Sequence, residues 1–315
     1  MLTLSAGSAE QKVNQLGKWK IGGQPGNNPP LLVASMFHNG DRILESRKER
    51  KFDRDKATEY IKKMEELSDQ TGVPALVALV ANSAGEMKEY VDFYTSISDR
   101  PFGIDMWVQK PRLEAAGYCC QKGLADRLVY NSITPWDKDI PGQVAQLKEM
   151  GIKHVVLQAY NEEDPSPKGR VTGLKKMLEQ IGEKSFDSIM VDTSVMNLPS
   201  TSFSCIASKM VKEEFGYPSG VASSNGTYMW KEAREMWGSD GFTAMNATAQ
   251  GMAAFFWSDV LFTGPIVNVT KIIPAVATAC LLQATMAHHE TGKTPDNENH
   301  PLYKFYPDFA KQLSG

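Results

Sequence analysis

Short, continuous apolar runs recur along this chain at intervals of roughly 25–35 residues, each bounded by turn residues, and such runs read as buried strands. They fall at 31–37 (LLVASMF), 73–80, 101–105, 127–131, 154–160 (HVVLQAY), 187–192 (DSIMVD), 218–223 and 259–263. Between them the apolar period lengthens to that of a helix. Ala57, Tyr60, Ile61, Met64 and Leu67 share one face of a segment at 55–69. Ser83 with Glu86 makes a capping box ahead of a stripe of Met87, Tyr90, Val91, Tyr94 and Ile97. Further helices are predicted at 111–122, 141–151, 172–181 and 202–215, with Gly123, Gly151 and Gly216 as stops. Two helical pieces follow at 227–237 and 243–256. A segment at 269–288 is apolar on most sides, the mark of a helix buried in a core or a subunit interface.

Eight strands alternating with helices is the pattern of an α/β protein of the (β/α)8 TIM-barrel class. A doubly wound sheet is the alternative, and the absence of G-x-G-x-x-G after any strand argues against it. The division expected is an extended, turn-rich lead-in over 1–30 that caps one end of the core, a barrel over 31–290, and a tail over 291–315 packed on the barrel. The dense charges of 46–54 read as a solvated loop.

Composition narrows the function classes. The 315 residues are 42% apolar and 23% charged with a net charge of −3, an ordinary globular balance that gives no footprint for nucleic acid. The first 20 residues lack the apolar segment of a secretory signal, and no run reaches the roughly 18–20 apolar residues of a membrane span, so a cytoplasmic protein without membrane insertion is expected. Cys119, Cys120, Cys205 and Cys280 show neither a CxxC pair nor zinc-ligand spacing, and read as buried reduced thiols. The sequons at Asn225, Asn246 and Asn268 carry no glycosylation meaning in that setting.

The chemistry of such a barrel sits at the C-terminal ends of its strands. Standing there are Asn39 and Asp41, Ser83, Asp105, Asn131, Gln158 and Asn161, Asp192, Asn225 and Thr263. The set is rich in Asn and Asp and poor in His, Cys, Glu and Lys. A bound metal would want two or three close His, Cys or carboxylate ligands, so none is expected. A Schiff-base lysine on a strand and a nucleophile with a histidine partner are likewise missing. Ionised carboxylates only accept hydrogen bonds, whereas amides both donate and accept. Together they suit a flat, nitrogen-rich ring, with a carboxylate taking two parallel N–H bonds from an amino-pyrimidinone edge. Taken singly, each of these residues reads equally as a helix cap or a strand-end turn.

FGID ending at Asp105, DRLVYNSI over 126–133, MVD ending at Asp192 and SGVASSN ending at Asn225 are similar in order and spacing to the pterin-binding methyltransferases. KIGGQPGNNP at 20–29 and GLADRLVYNSI at 123–133 resemble the H subunit of tetrahydromethanopterin S-methyltransferase, and within that group the folate-using methyltransferases of bacterial glycine betaine demethylation. The resemblance spans about residues 18–290. It implies a homodimeric barrel that moves a methyl group between a methyl-corrinoid carried by a separate protein and N5 of tetrahydrofolate, giving 5-methyltetrahydrofolate. It places Asp105, Asn131 and Asp192 on the pterin edge and Asn225 near N5, with Gln158 and Asn161 as further substrate contacts. The loop after the seventh strand is a residue or two longer than the family pattern, which leaves Ser223 and Ser224 as alternatives to Asn225.

The catalytic expectation therefore falls on Asn225 and Asp105. No D-x-H-x-x-G corrinoid motif is found, so the corrinoid is expected on a partner. The charged 46–54 stretch and the acidic 161–168 stretch are candidate docking surfaces for it. Two other readings remain: a non-catalytic or tetrahydromethanopterin-specific subunit of a larger complex, and a dihydropteroate-synthase-like enzyme. The last would want Lys and Arg at the late strand ends for a leaving pyrophosphate, where Ser, Asn and Thr stand instead.

Overall fold

A computed structural model describes residues 3–182 and 185–314. Eight parallel strands close on themselves: β1 (Leu31–Met36), β2 (Ala75–Val80), β3 (Phe102–Asp105), β4 (Leu128–Ile133), β5 (His154–Gln158), β6 (Ser188–Asp192), β7 (Ser219–Val221) and β8 (Val260–Pro265). They neighbour one another in chain order and β8 returns to β1, so the fold is the expected (β/α)8 barrel. The linking helices are α1 (Arg54–Thr71), α2 (Ala84–Ile97), α3 (Gln109–Gln121), α4 (Ile140–Glu149), α5 (Pro167–Ile181), α6 (Ser200–Phe215), α7 (Ser223–Met229), α8 (Glu232–Phe255) and α9 (Val269–Thr291).

Strand side chains alternate between two cores, because successive residues point to opposite faces. One set (Leu32, Ala34, Val77, Leu79, Ile104, Tyr130, Leu157 and Val191 among them) packs against the helices. The other (Leu31, Val33, Leu76, Ala78, Val129, Val156, Met190 and Val260) fills the barrel. The lead-in closes the N-terminal end of that inner core. It is a β-hairpin, Val13–Leu16 against Trp19–Gly22, whose Leu16, Trp19 and Ile21 join the inner cluster. Asn14 donates from Nδ2 to the Ile189 carbonyl at 2.9 Å, tying the plug to β6.

The capping box at Ser83 and Glu86 forms as read, with both reciprocal hydrogen bonds present. Several boundaries move. β7 is only three residues long, and Ser223 begins α7, so the SSN segment lies on a helix's first turn and not at a strand end. The helical break expected after residue 237 falls at Gly238, whose φ of 66° kinks α8. The 46–54 segment is not plain loop: Leu44–Ser46 pairs with Lys51–Phe52, Phe52 is buried, and Arg47 donates to the Phe37 carbonyl. α5 begins at Pro167, capped by Ser166, inside the stretch read as an acidic loop.

The expectation that no run is long enough to span a membrane does not hold by length and composition. The segment Ile266–Thr291 is long and apolar enough, by length and composition, to cross a membrane, and half of its apolar window is buried inside the fold. It packs mainly on α8, while Leu282 and Met286 remain exposed. Two short helices, α10 (Pro301–Phe305) and α11 (Pro307–Leu313), lie on its C-terminal half through Leu302, Ala310 and Ala284.

Candidate active site

The register of the barrel gathers four of the polar strand ends. Asp105 stands beside Asn131 across β3 and β4, and Gln158 beside Asp192 across β5 and β6. Each lies two residues beyond an inward position (Gly103, Val129, Val156 and Met190), so the two-residue period aims all four into the barrel mouth. They line a cavity of about 620 Å³ whose floor is apolar, with Val33, Ala78 and Phe262 beneath them. The β4–β5 register shifts between Asn131 and Ile133, an irregularity of the kind that re-aims side chains beside sites.

The electrostatics of this rim are unusual. Burial pushes the Asp105 carboxyl up to about 6, with the Arg112 guanidinium pulling the other way. Burial also pushes Asp192 up to about 6. The Ser194 N–H, which donates to its Oδ1 at 2.8 Å, and Arg170 oppose that rise, while the charge of Asp105 adds to it. Two carboxylates thus face one cavity, each raised chiefly by desolvation and close enough to repel. Asp105, Asn131 and Gln158 have no side-chain hydrogen bond among the described residues. Half-buried polar groups left so are open to water or to a bound molecule.

Asn225 faces this quartet from the first turn of α7. Its backbone N–H bonds the Ala222 carbonyl at 2.9 Å, and its side chain lines the cavity. The two serines before it differ. Ser223 is fully buried and does not line the cavity, and Ser224 donates its hydroxyl to the Phe262 carbonyl at 2.9 Å. Gly264 makes room for this turn: its φ is 72°, and a Cβ there would meet Ser224 Oγ at 3.0 Å.

Other predicted strand-end residues are used elsewhere. Asn161 lies outside the cavity and accepts the Glu163 N–H at 3.1 Å, a local Asx turn that explains its sequence signal without a ligand. Asp41 accepts the Phe37 N–H at 2.8 Å, Ser83 caps α2, and Thr263 bonds the Val33 carbonyl at 3.3 Å. Among the described residues no group of three metal-ligating side chains is found.

The sequence reading missed the frame that holds one side of the mouth. Arg112 is buried on α3, and its Nη2 donates to both carboxylate oxygens of Asp137, at 3.0 and 2.8 Å. It also bonds the Tyr130 hydroxyl at 2.9 Å and the Met106 carbonyl at 2.7 Å. Asp137 in turn accepts the Thr134 N–H at 3.0 Å. The loops after β3 and β4 are therefore clamped to each other. They carry Trp107 and Trp136 to the rim, and nothing but proximity in the fold would link these residues.

Comparison with known sequences decides the lineage. The family model described as tetrahydromethanopterin S-methyltransferase MtrH subunit matches residues 9–294. The chain belongs to the MtrH family. Among curated members of that family, the tetrahydromethanopterin S-methyltransferase H subunit of Methanosarcina mazei is 31% identical, over 94% of this chain and 98% of its own. The same-named protein of Methanothermobacter thermautotrophicus is 30% identical, over 94% and 97%. The H subunit of a putative mtx methyltransferase, also of Methanosarcina mazei, is 30% identical over 87% and 92%. The family is thus one of methyltransferase subunits. Among solved structures, the dihydropteroate synthase of Yersinia pestis in a sulfonamide complex superposes with a TM-score of 0.61. It covers 87% of this chain and 100% of its own at 12% identity, which shows a shared barrel.

Proposed function

We propose that this MtrH-family chain is a methyltransferase that moves a methyl group between a corrinoid held by a separate protein and N5 of a reduced pterin. The pterin proposed is tetrahydrofolate, with 5-methyltetrahydrofolate as the product and glycine betaine as the upstream methyl source. The observation that carries the pterin reading is the pair of registered couples, Asp105 with Asn131 and Gln158 with Asp192, ringing an apolar floor. A pterin is flat and presents N–H donors on its pyrimidine edge and mixed donors and acceptors elsewhere. Carboxylates beside amides answer both, and charge-assisted bonds from a carboxylate are the stronger kind.

The chain's contribution to the chemistry is positional and electrostatic. Displacement at the methyl carbon needs the N5 lone pair free and aimed along the new bond. Asp105 and Asp192 hold the ring edge, and Asn225 meets the ring from α7. An amide accepts a hydrogen bond from N–H or donates one to a lone pair without titrating. In the forward direction Asn225 orients N5, and in reverse it stabilises the nitrogen as it leaves. Holding two large reactants in line removes an entropic barrier of up to ~7–11 kcal/mol in favourable intramolecular cases. The mouth is where a corrinoid protein would approach, with both partners assembled on a homodimer of this chain.

The test is anaerobic. The protein is mixed with methylcobalamin and either tetrahydrofolate or tetrahydromethanopterin, and cobalt demethylation is followed by absorbance. Wild-type turnover that Asn225→Ala slows at saturating pterin, with Asp105→Ala raising the pterin Kd, supports the reading. Absence of binding to both pterins in calorimetry would overturn it. Binding without turnover assigns the donor role to a cognate corrinoid protein, and turnover with tetrahydromethanopterin alone overturns the folate assignment.

A further inference from the structure

We propose that the cavity continues outward into a second subsite, formed by Trp107, Trp136, Lys110 and Lys138, that takes an aryl tail ending in carboxylates. This rests on the pterin reading and extends it from the ring to the rest of the substrate. The four polar residues and the apolar floor account for a flat ring at the bottom of the cavity. They do not account for its wall on the side of the β3–α3 and β4–α4 loops. There Trp107 is 80% exposed and Trp136 is 42% exposed, two large indoles left in water beside a cavity.

The rings form a continuous edge. Trp107 and Trp136 lie 6.0 Å apart between centroids at an interplanar angle of 30°, and Trp136 and Tyr160 lie 5.8 Å apart at 37°. Trp136 is oriented as well as exposed, since its indole N–H donates to Glu162 at 2.6 Å. Beneath them the buried Arg112–Asp137 pair fixes both loops. A preorganised aromatic edge lowers the ordering cost of stacking an aryl group on it.

Two cations stand unpaired at this rim. Lys110 and Lys138 both line the cavity, and neither has an ion-pair partner among the described residues. The neighbouring acids are hydrogen-bonded elsewhere, and of them Asp137 alone is paired with a cation. Asp137 is held by Arg112, Asp139 caps α4 through the Gly142 N–H, and Glu162 takes the Trp136 indole. The two ammonium groups therefore remain open to a carboxylate where a tail leaving the cavity would pass. Gln109 and Lys110 also line a second groove of about 640 Å³ over the outer faces of α3 and α4, so a longer tail has a path onward. An arylamine bearing carboxylates matches this order of surfaces: ring, stacking edge, cations. A folate with its glutamates and a methanopterin with its own acidic tail share that chemistry.

The experiment is calorimetric binding at low salt with four probes: 6-methyltetrahydropterin, tetrahydrofolate, its triglutamate and tetrahydromethanopterin. The expectation is that the tailed pterins bind more tightly than the bare ring. Lys110→Ala with Lys138→Ala should weaken them about tenfold, in keeping with two modest exposed ion pairs, and raised salt should do the same. The bare ring should keep its affinity in that variant, which shows that the ring site is intact. Trp136→Ala should weaken the tailed pterins at any salt. The source of the tail is whichever of the folate triglutamate and tetrahydromethanopterin gains more from the lysines. Equal loss for the bare ring, or no loss for any tailed pterin, overturns the subsite while leaving the ring site standing. No binding of 6-methyltetrahydropterin or of any tailed probe overturns the pterin reading itself.

Discussion

At the scale of single residues, Asp105 and Asp192, on the function proposed, trade stability for binding. A carboxyl whose folded-state value is raised from its ordinary value to about 6 holds its proton better in the folded than in the unfolded chain. Their contribution to stability is full below about pH 4 and is lost as the pH rises through about 6. Asp105→Asn should therefore raise the unfolding free energy at pH 7, by about 1–3 kcal/mol, while weakening pterin binding. Chemical denaturation and calorimetry on the same variant check both signs, and a destabilised Asp105→Asn would contradict the desolvation account. Binding has the opposite pH dependence. If ionised carboxylates accept from the pterin edge as proposed, pterin affinity should be constant above pH 7 and fall below about pH 6, by roughly tenfold per pH unit for each proton taken up. Neither residue's altered acidity was readable from sequence. Asn225 was readable, but the choice between it and its two serine neighbours was not. The fold buries Ser223 and bonds the Ser224 hydroxyl to the Phe262 carbonyl, which favours Asn225 for the proposed role.

At the scale of elements, the helix caps and the loop clamp separate local from non-local order. The Ser83–Glu86 box lies within four residues, and periodicity plus cap chemistry suffices to find it. Ser83→Ala should cost about 1 kcal/mol, measured by denaturation, and leave pterin affinity unchanged. The Arg112–Asp137 clamp joins residues 25 apart in sequence and two different barrel loops. Removing Arg112 leaves Asp137 buried without its cation, which costs about 3–5 kcal/mol. Arg112→Met should accordingly lower stability by that amount, and it should also loosen the Trp107 and Trp136 loops. Faster hydrogen exchange of the 106–110 and 134–138 amides is the signature, and exchange unchanged there would show that the loops are held by other contacts. The same contrast explains Asn161. Its sequence position after β5 matched the pattern of a site residue, and a local Asx turn claimed its side chain.

At the scale of the whole molecule, the barrel is closed at one end by its own N-terminus and open at the other. Leu16, Trp19 and Ile21 of the hairpin complete the inner core beneath the strands. Trp19→Ala should cost about 3–5 kcal/mol, because a large buried side chain leaves a cavity that the rigid strand ends cannot fill. The loss should show in denaturation midpoint with little change in pterin Kd, since the hairpin is at the opposite end from Asp105 and Asn225. Plug and mouth thus divide stability from function along the barrel axis, as parallel barrels generally do.

Local pattern alone settles the period of the strands, their number, their alternation with helices and the α2 cap. It also settles that Asp and Asn residues stand at several of the strand ends. These follow from burial and hydrogen bonding within a few residues, which the order of side chains records faithfully. Which of those strand-end residues face one another is a property of the folded barrel. Strand register pairs Asp105 with Asn131 and Gln158 with Asp192, and that register is set by barrel closure across the whole chain. The raised carboxyls, the Arg112 clamp and the exposed indoles at the rim belong to the same class, since desolvation and charge proximity depend on neighbours distant in sequence.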